Sequence, residues 1–491
     1  MSYIPVIGLE IHIELKTKSK MFCSCLNDSD ERHPNINVCP ICMGHPGTLP
    51  VINEEAVKKV IKTGLALHSE IPADSKFDRK NYFYPDLPKG YQISQYDMPL
   101  CRGGFLQIGG KKIKITRVHL EEDTGRLIHP PGAEYSLVDF NRAGIPLMEL
   151  VTEPDIASAE EAWRFAKELQ LILRYLGVSD ADMEKGQMRV EANISVGSKT
   201  KKGTKVEIKN LNSFRAVEKG IGYEIERQIK VLESGRKVVQ ETRGWSEKKG
   251  ITVSQRIKEG AHDYRYFPEP DLPPMQFSKK MVDDVRAEIP ELPQARRERF
   301  KKEYQLADPE VEILVFNKAL GEYFEKVMSE LRQWVKETEG KKRLNPKEKS
   351  KLTRTCVNYL ITDLQGLLKG TPFPEEDFQI TPENFAEFIT LIHGGSISSK
   401  LAKQVLAEMF ATGADPSHII KEKGLIQITN ESEIKEIVKE VISQNSKAVE
   451  DFKKGRGNSL QFLVGQVMAK TQGKADPQLT RKLLQQLLTK K

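Results

Sequence analysis

The 491-residue chain has no apolar run approaching the ~20 residues that a membrane-spanning helix needs, so a helical membrane protein is not expected. Residues 1 to 20 lack the layout of a secretory signal, and a cytoplasmic location is the expectation. A G-x-x-x-x-G-K-[ST] loop is also missing, which excludes a Walker-type cradle for nucleotide phosphates. No internal repeat or low-complexity tract appears. Cysteine is scarce, six in all, and two of these, Cys101 and Cys356, stand alone. With 38% hydrophobic and 30% charged residues, the chain reads as soluble and globular, long enough for two or three domains.

The other four cysteines form a pattern. Cys23, Cys25, Cys39 and Cys42 read C-x-C and C-x-x-C with thirteen residues between the pairs. In a reducing compartment this spacing reads as a tetrahedral structural zinc site. A redox pair is the competing reading, against which the second pair weighs; His45 is a further candidate ligand. Charge is patterned too. The formal net charge is +7, but residues 452 to 491 hold nine Lys or Arg against one acid, Asp476, leaving the rest nearly neutral. A basic tail suits a polyanion such as tRNA, or serves as a solubilising end.

Residues 1 to about 290 mix short β-branched runs, such as Lys112 to Val118 and Lys205 to Ile208, with helical stretches at Ala157 to Leu176 and Ser213 to Leu232. This predicts an α+β region with a mixed or antiparallel sheet. Beyond Ile289 to Pro293 the β signals fade. Helices are expected after Thr381-Pro382 up to Gly394-Gly395, from Ser398, after Asp415-Pro416, and finally after Asp476-Pro477. Lys336 to Lys351 is highly charged without apolar period, and Lys453, Lys454 and Arg456 sit in a basic, glycine-containing turn.

Acids and histidines cluster in three places. Glu10, His12 and Glu14 alternate with Ile11 and Ile13, so on a strand they share one face. His119, Glu121, Glu122 and Asp123 form a second group. The third lies in Leu137 to Val151, LVDFNRAGIPLMELV, where Asp139, Asn141, Arg142 and Glu149 surround a Gly144/Pro146 break. Carboxylates that share a site repel unless a cation neutralises them, and oxygen-rich sets suit magnesium. The wet side of an antiparallel sheet and ordinary ion pairs are the bland alternatives. Tyr82, Phe83 and Tyr84 beside Arg79 and Lys80 offer a stacking platform for unpaired RNA, or a core cluster.

Several segments together resemble the GatB family, the B subunits of aspartyl/glutamyl-tRNA amidotransferases. They are VIGLEIHIELKTKSKMF from Val6, RKNYFYPDLPKGYQISQYD from Arg79, ITRVHLEEDTGR from Ile115 and the Leu137 to Val151 stretch. EIKNLNSF from Glu207, DYRYFPEPDLPP from Asp263, and FLVGQVM and ADPQLTRKLL near the C-terminus complete the set. The resemblance implies a large mixed-sheet cradle domain over residues 1–290, a helical domain over 291–412 and a YqeY-like helical tail over 413–491 that binds tRNA.

It also implies an ATP- and Mg²⁺-dependent reaction. The side-chain carboxylate of Glu-tRNA(Gln) or Asp-tRNA(Asn) is phosphorylated and then amidated. Ammonia comes from a separate amidase-type glutaminase, strapped to this chain by a third, small protein of the complex; this chain lacks the Gly/Ser-rich segment of such a glutaminase. By position, Glu10, His12, Glu122 and Glu149 are implied as magnesium ligands and catalytic groups, with Arg142 beside them and Glu14 and Glu121 as supporting residues. Lys80, Lys89, Arg117, Arg126 and Arg142 are phosphate or carboxylate candidates. Lys80, Tyr82, Tyr84, Lys453, Lys454 and Arg456 are placed against tRNA. Only some members of the family hold metal at the cysteines, so zinc is implied as an accessory staple. The alternative is a non-catalytic, zinc-stapled tRNA-binding scaffold. The family's archaeal branch, with a large inserted domain, does not fit the length.

Overall fold

Alternation writes the first element. From Ile4 to Glu14 the chain forms a strand, β1, in which Ile7, Leu9, Ile11 and Ile13 are at most 1% exposed while Glu10 and His12 are half-buried on the other face. The computed structural model describes residues 3–198, 202–257, 264–338, 345–374, 377–425, 430–454, 456, 458–471 and 473–489. Residues 339–344 of the charged stretch, and Gly455 and Gly457 of the basic turn, lie outside the described residues.

The chain divides into two compact units, Met1–Pro293 and Gln294–Lys491. In the first, Asp78–Asn81 (β2) and Tyr91–Ser94 (β3) belong to a small sheet that Phe267–Pro268 completes. A nine-stranded sheet contains β1, Lys111–Glu122 (β4), Pro146–Thr152 (β5), Met188–Gly197 (β6), Val206–Leu211 (β7), Glu241–Ser246 (β8) and Ile251–Ile257 (β9). Their order is β9-β8-β7-β6-β1-β5-β4, with Cys101–Arg102 and Phe105–Ile108 both paired to β4. β7 and β8 run parallel and the other pairs antiparallel, so the sheet is mixed.

Helices cover one face. Glu54–Ala66 (α1) packs on β4, and Phe214–Glu233 (α3) packs on β6 and against Ala159–Tyr175 (α2). Ser158 and Ser213 cap α2 and α3 by accepting from Glu161 N–H and Ala216 N–H, as serine does at helix starts. Their buried sides join Ile7, Leu9, Ile11 and Ile13 in one apolar core. The opposite face of the central strands carries the polar residues.

In the second unit the described residues form helices and no strand. Pro382–His393 starts under Thr381, which accepts from Asn384 N–H, and Pro416–Glu422 starts under Asp415. A separate small core gathers Glu431–Gln444 (α4), Ser446–Lys453 (α5), Asn458–Lys470 (α6) and Pro477–Thr489 (α7) around Val438, Leu463, Val467 and Leu484. The whole is α+β, as the sequence predicts. No described helix is long and apolar enough to cross a membrane.

Candidate active site

Register builds the site. Arg189, His12, Glu149 and His119 stand opposite one another on β6, β1, β5 and β4, on the face away from the core. Residues directly opposite in antiparallel strands lie within side-chain reach, so this row is one cluster. Glu191, Glu10 and Arg117 fill the next row, and Glu14 and Glu121 lie one row the other way. His12 Nε2 approaches Glu149 at 3.4 Å and Glu121 at 3.9 Å; His119 Nε2 approaches them at 3.4 and 3.7 Å.

Charge in this cluster is set by competition. Burial disfavours a charged imidazole at His119, but the Glu149 and Glu121 carboxylates outweigh it and hold its pKa up at about 9. His12 shifts the same way against the same burial, drawn by Glu149. Burial also opposes charge on Glu149, yet His119 and His12 hold it well below the ordinary carboxylate range. The His119 imidazolium thus offsets part of the charge of the buried Glu149 and Glu121 carboxylates, and His12 is shifted towards its charged form beside them. Because the folded pKa of His119 exceeds the ~6.5 of an unfolded histidine, its stabilisation is complete below about pH 6.5 and disappears as pH rises through about 9. In magnesium-free buffer the urea midpoint of the wild type should fall across that window, while His119→Gln should show a flatter profile.

A cleft of about 560 Å³ opens over the cluster. The small sheet forms one wall. Asn81 N–H donates to the Tyr264 carbonyl at 2.9 Å, laying residues 264–268 along β2 and bringing Tyr264 and Tyr266 to the cleft beside Tyr82. Lys80 Nζ sits 5.2 Å from the Tyr264 ring centre and 5.8 Å from that of Tyr82. Among the described residues it makes no ion pair, and despite burial the Glu121 and Glu149 charges push its pKa up. Arg189 donates to both oxygens of Asp123 at 2.9 and 3.0 Å, while its buried Nε has no hydrogen-bond partner among the described residues. A second acidic group, Glu10, Glu191 and Glu207, lies on the same floor, with Lys209 3.0 Å from Glu191 and 3.6 Å from Glu207.

Of the four positions carried over for magnesium, the fold brings His12 and Glu149 together, puts Glu10 in the neighbouring group and turns Glu122 away. Successive strand residues face opposite sides, so Glu121 enters the cleft and Glu122 does not. Glu122 accepts from Lys89 Nζ at 2.7 Å and Ile93 N–H at 2.9 Å on the far side of β4. Arg142 is also redirected: its guanidinium donates to Asp123 at 2.8 Å and to Glu14, beside the cleft and not in its lining. Burial opposes charge on Asp123, but Arg189 and Arg142 hold its carboxyl down at about 2. Tyr82 lines the cleft and donates towards Gln92 at 3.4 Å, whereas Tyr84 is 60% exposed and lies outside the lining. In the second unit, Lys453 ends α5, Lys454 caps it, and Arg456 donates to Asp451 at 3.1 Å.

Sequence reasoning missed Arg189, Glu191 and Asn193, although Met188 to Ile194 alternates apolar and polar as clearly as β1 does. It also missed Tyr264 and Tyr266 as cleft residues, for which no local signal exists.

The four cysteines converge separately. One sulfur from each lies within 4.8 Å of all the others, and Cys39 N–H donates to Cys42 Sγ at 3.1 Å. The Cys23 hydrogen bond is the main cause of a Cys42 thiol lowered to about 5. Gly144 lies beside the cysteines with φ of 85°, a conformation that favours glycine, and its carbonyl accepts from Met21 N–H at 2.7 Å.

Residues 5–283 match the family described as the GatB/GatE catalytic domain, and residues 345–488 the GatB domain. Relatives named as the B subunit of aspartyl/glutamyl-tRNA(Asn/Gln) amidotransferase align along the full length. Those of Caldicellulosiruptor saccharolyticus and Thermoanaerobacter pseudethanolicus are 50% and 49% identical, each over 100% of both chains. That of Thermotoga maritima is 48% identical over 99% of both.

Proposed function

We propose, from the premise that this chain belongs to the GatB/GatE family, that it is the ATP-dependent kinase and transamidase component of a tRNA-dependent amidotransferase. Its substrates are Glu-tRNA(Gln) and Asp-tRNA(Asn). Its partners are an amidase-type glutaminase, which supplies ammonia, and a small strap protein, and the assembly works in the cytoplasm. The observation that carries this reading is the cleft floor: two buried carboxylates and two histidines on rigid central strands, rimmed by Lys80, Arg117 and Arg189.

A carboxylate is a poor electrophile because oxide is a poor leaving group. One side-chain oxygen of the aminoacyl group attacks the γ-phosphorus of ATP, the bond to ADP breaks, and an acyl phosphate forms. Ammonia then attacks the acyl carbon, phosphate leaves, a proton is lost and the amide remains. Lys80 and Arg189 suit the anions in this sequence, since Lys80 makes no ion pair among the described residues and Arg189 Nε is an orphan donor. The Tyr82, Tyr264 and Tyr266 rings wall the cleft and offer stacking surfaces to the terminal adenosine of tRNA.

The donor set fits a divalent cation. His12, Glu121 and Glu149 can each present one atom within 4.8 Å of the others, and the positive charge their carboxylates require is otherwise held as imidazolium. Magnesium held there supplies neutralisation of the phosphate charge. Glu121 replaces Glu122 in this set. The four cysteines, with sulfurs all within 4.8 Å of one another, are compatible with a structural zinc. Elemental analysis of the purified chain should find one zinc, absent from Cys42→Ser.

The decisive test is ADP release by this chain assembled with its partner proteins, in ATP, Mg²⁺ and excess ammonia, with and without Glu-tRNA(Gln). Release that requires the misacylated tRNA supports the reading. Tight tRNA binding with ATP untouched would favour the scaffold alternative instead.

A further inference from the structure

Far along the chain from the cleft, the helical tail holds a cavity of its own. It opens between the starts of α5 and α6, measures about 730 Å³, and is lined by Asn445, Lys447, Asp451, Arg456, Asn458 and Phe462 among others. That volume lies within the ~300–1,000 Å³ of small-molecule sites.

Three features give the cavity a chemistry. Phe462 is 50% exposed, although its neighbours Leu460 and Leu463 on α6 are buried in the tail core. A phenyl ring left half-wet at a cavity wall is a stacking surface. Lys447 makes no ion pair among the described residues, and Arg456 is oriented by Asp451 at 3.1 Å, so the side chains named here leave a net positive charge. The Asn445 side chain donates back to the Val441 carbonyl at 2.9 Å instead of capping α5. Among the described residues, α5 thus starts without a side-chain cap, and its first residues, Ser446 and Lys447, line the cavity. A flat ring and two cations within one cavity match a nucleotide: base and phosphate together.

We propose that this cavity receives one unpaired nucleotide of the tRNA, its base on Phe462 and its phosphate towards Lys447 and Arg456. The inference rests on the reading that the chain binds tRNA, and it adds a base-recognising pocket to a tail otherwise expected to hold RNA by shape and charge. Asn445 and Asn458 are the amides placed to read a base edge. A free mononucleotide shares this chemistry and is the other source the test separates.

The experiment measures binding of end-labelled tRNA to the full-length chain across a salt series, for wild type, Phe462→Ala, Phe462→Tyr and Lys447→Ala, with chemical probing of unpaired bases and thermal midpoints in parallel. Phe462→Ala should weaken binding about 5- to 100-fold, the range expected for losing one base–aromatic stack, with an unchanged salt slope. It should also re-expose a base that the wild type protects, while Phe462→Tyr retains affinity and protection. Lys447→Ala should reduce the salt slope by about 1. Equal affinity and probing patterns for wild type and Phe462→Ala overturn the assignment while leaving the proposed function standing. Saturable binding of free AMP or GMP that only Phe462→Ala abolishes, with tRNA affinity unchanged, assigns the cavity to a free nucleotide and overturns it equally. A wild-type chain that binds no tRNA, either alone or assembled with its partner proteins, overturns both readings.

Discussion

Glu149→Ala should cut tRNA-dependent ADP release by about 10²- to 10³-fold while leaving tRNA affinity unchanged. Glu149 meets both imidazoles at 3.4 Å, so its removal takes away one donor of the proposed cation set and the main charge that holds His119 protonated. A metal that stabilises transferring phosphate accounts for several kcal/mol of barrier lowering, and a damaged site forfeits much of it. Glu149→Gln keeps the shape and removes the charge, so it should lose nearly as much activity with a smaller loss of stability. Glu122→Gln is the internal control. Its carboxylate lies on the far side of β4 with Lys89, and its effect on ADP release should be well below that of Glu149→Gln. Should Glu149→Ala release ADP at the wild-type rate, the phosphoryl chemistry does not lie on this cluster.

Arg142→Ala should lower the stability of the chain by about 3 kcal/mol, the low end of the cost of breaking a buried ion pair. The guanidinium joins Glu14 and Asp123, which are only 6% and 5% exposed. Without it Glu14 has no ion pair among the described residues; burial already pushes its pKa up to about 7 even with Arg142 present. Asp123 keeps Arg189 and suffers less. Arg142→Lys restores the charge without the planar fork and should recover part of the loss. Urea denaturation at pH 7 reads these differences. A wild-type midpoint in Arg142→Ala would mean that solvent reaches these carboxylates after all.

The architecture was more legible than the site. β1 could be read because Ile7, Leu9, Ile11 and Ile13 alternate with polar residues, and helix starts could be read because Ser158, Ser213, Thr381 and Asp415 are side-chain caps before helical periodicity. The choice between Glu121 and Glu122 could not. The β-branched signal stops at Val118, whereas pairing with β5 carries the strand on to Glu122, and the strand's phase decides which acid faces the cleft. Arg142 shows the same limit. Its type suggested a phosphate partner, but Glu14, 128 residues away, claims it, and only the folded register brings the two together. Tyr264 and Tyr266 reach the cleft through the pairing of Phe267 with Arg79, a contact no local pattern encodes.

That Arg189, His12, Glu149 and His119 form a single row across four adjacent central strands has a consequence for heat and mutation. Those strands also present the apolar core on their other face, so no part of the row can move unless the sheet itself opens. The chemistry proposed for this row is expected to be lost at the midpoint where the sheet unfolds.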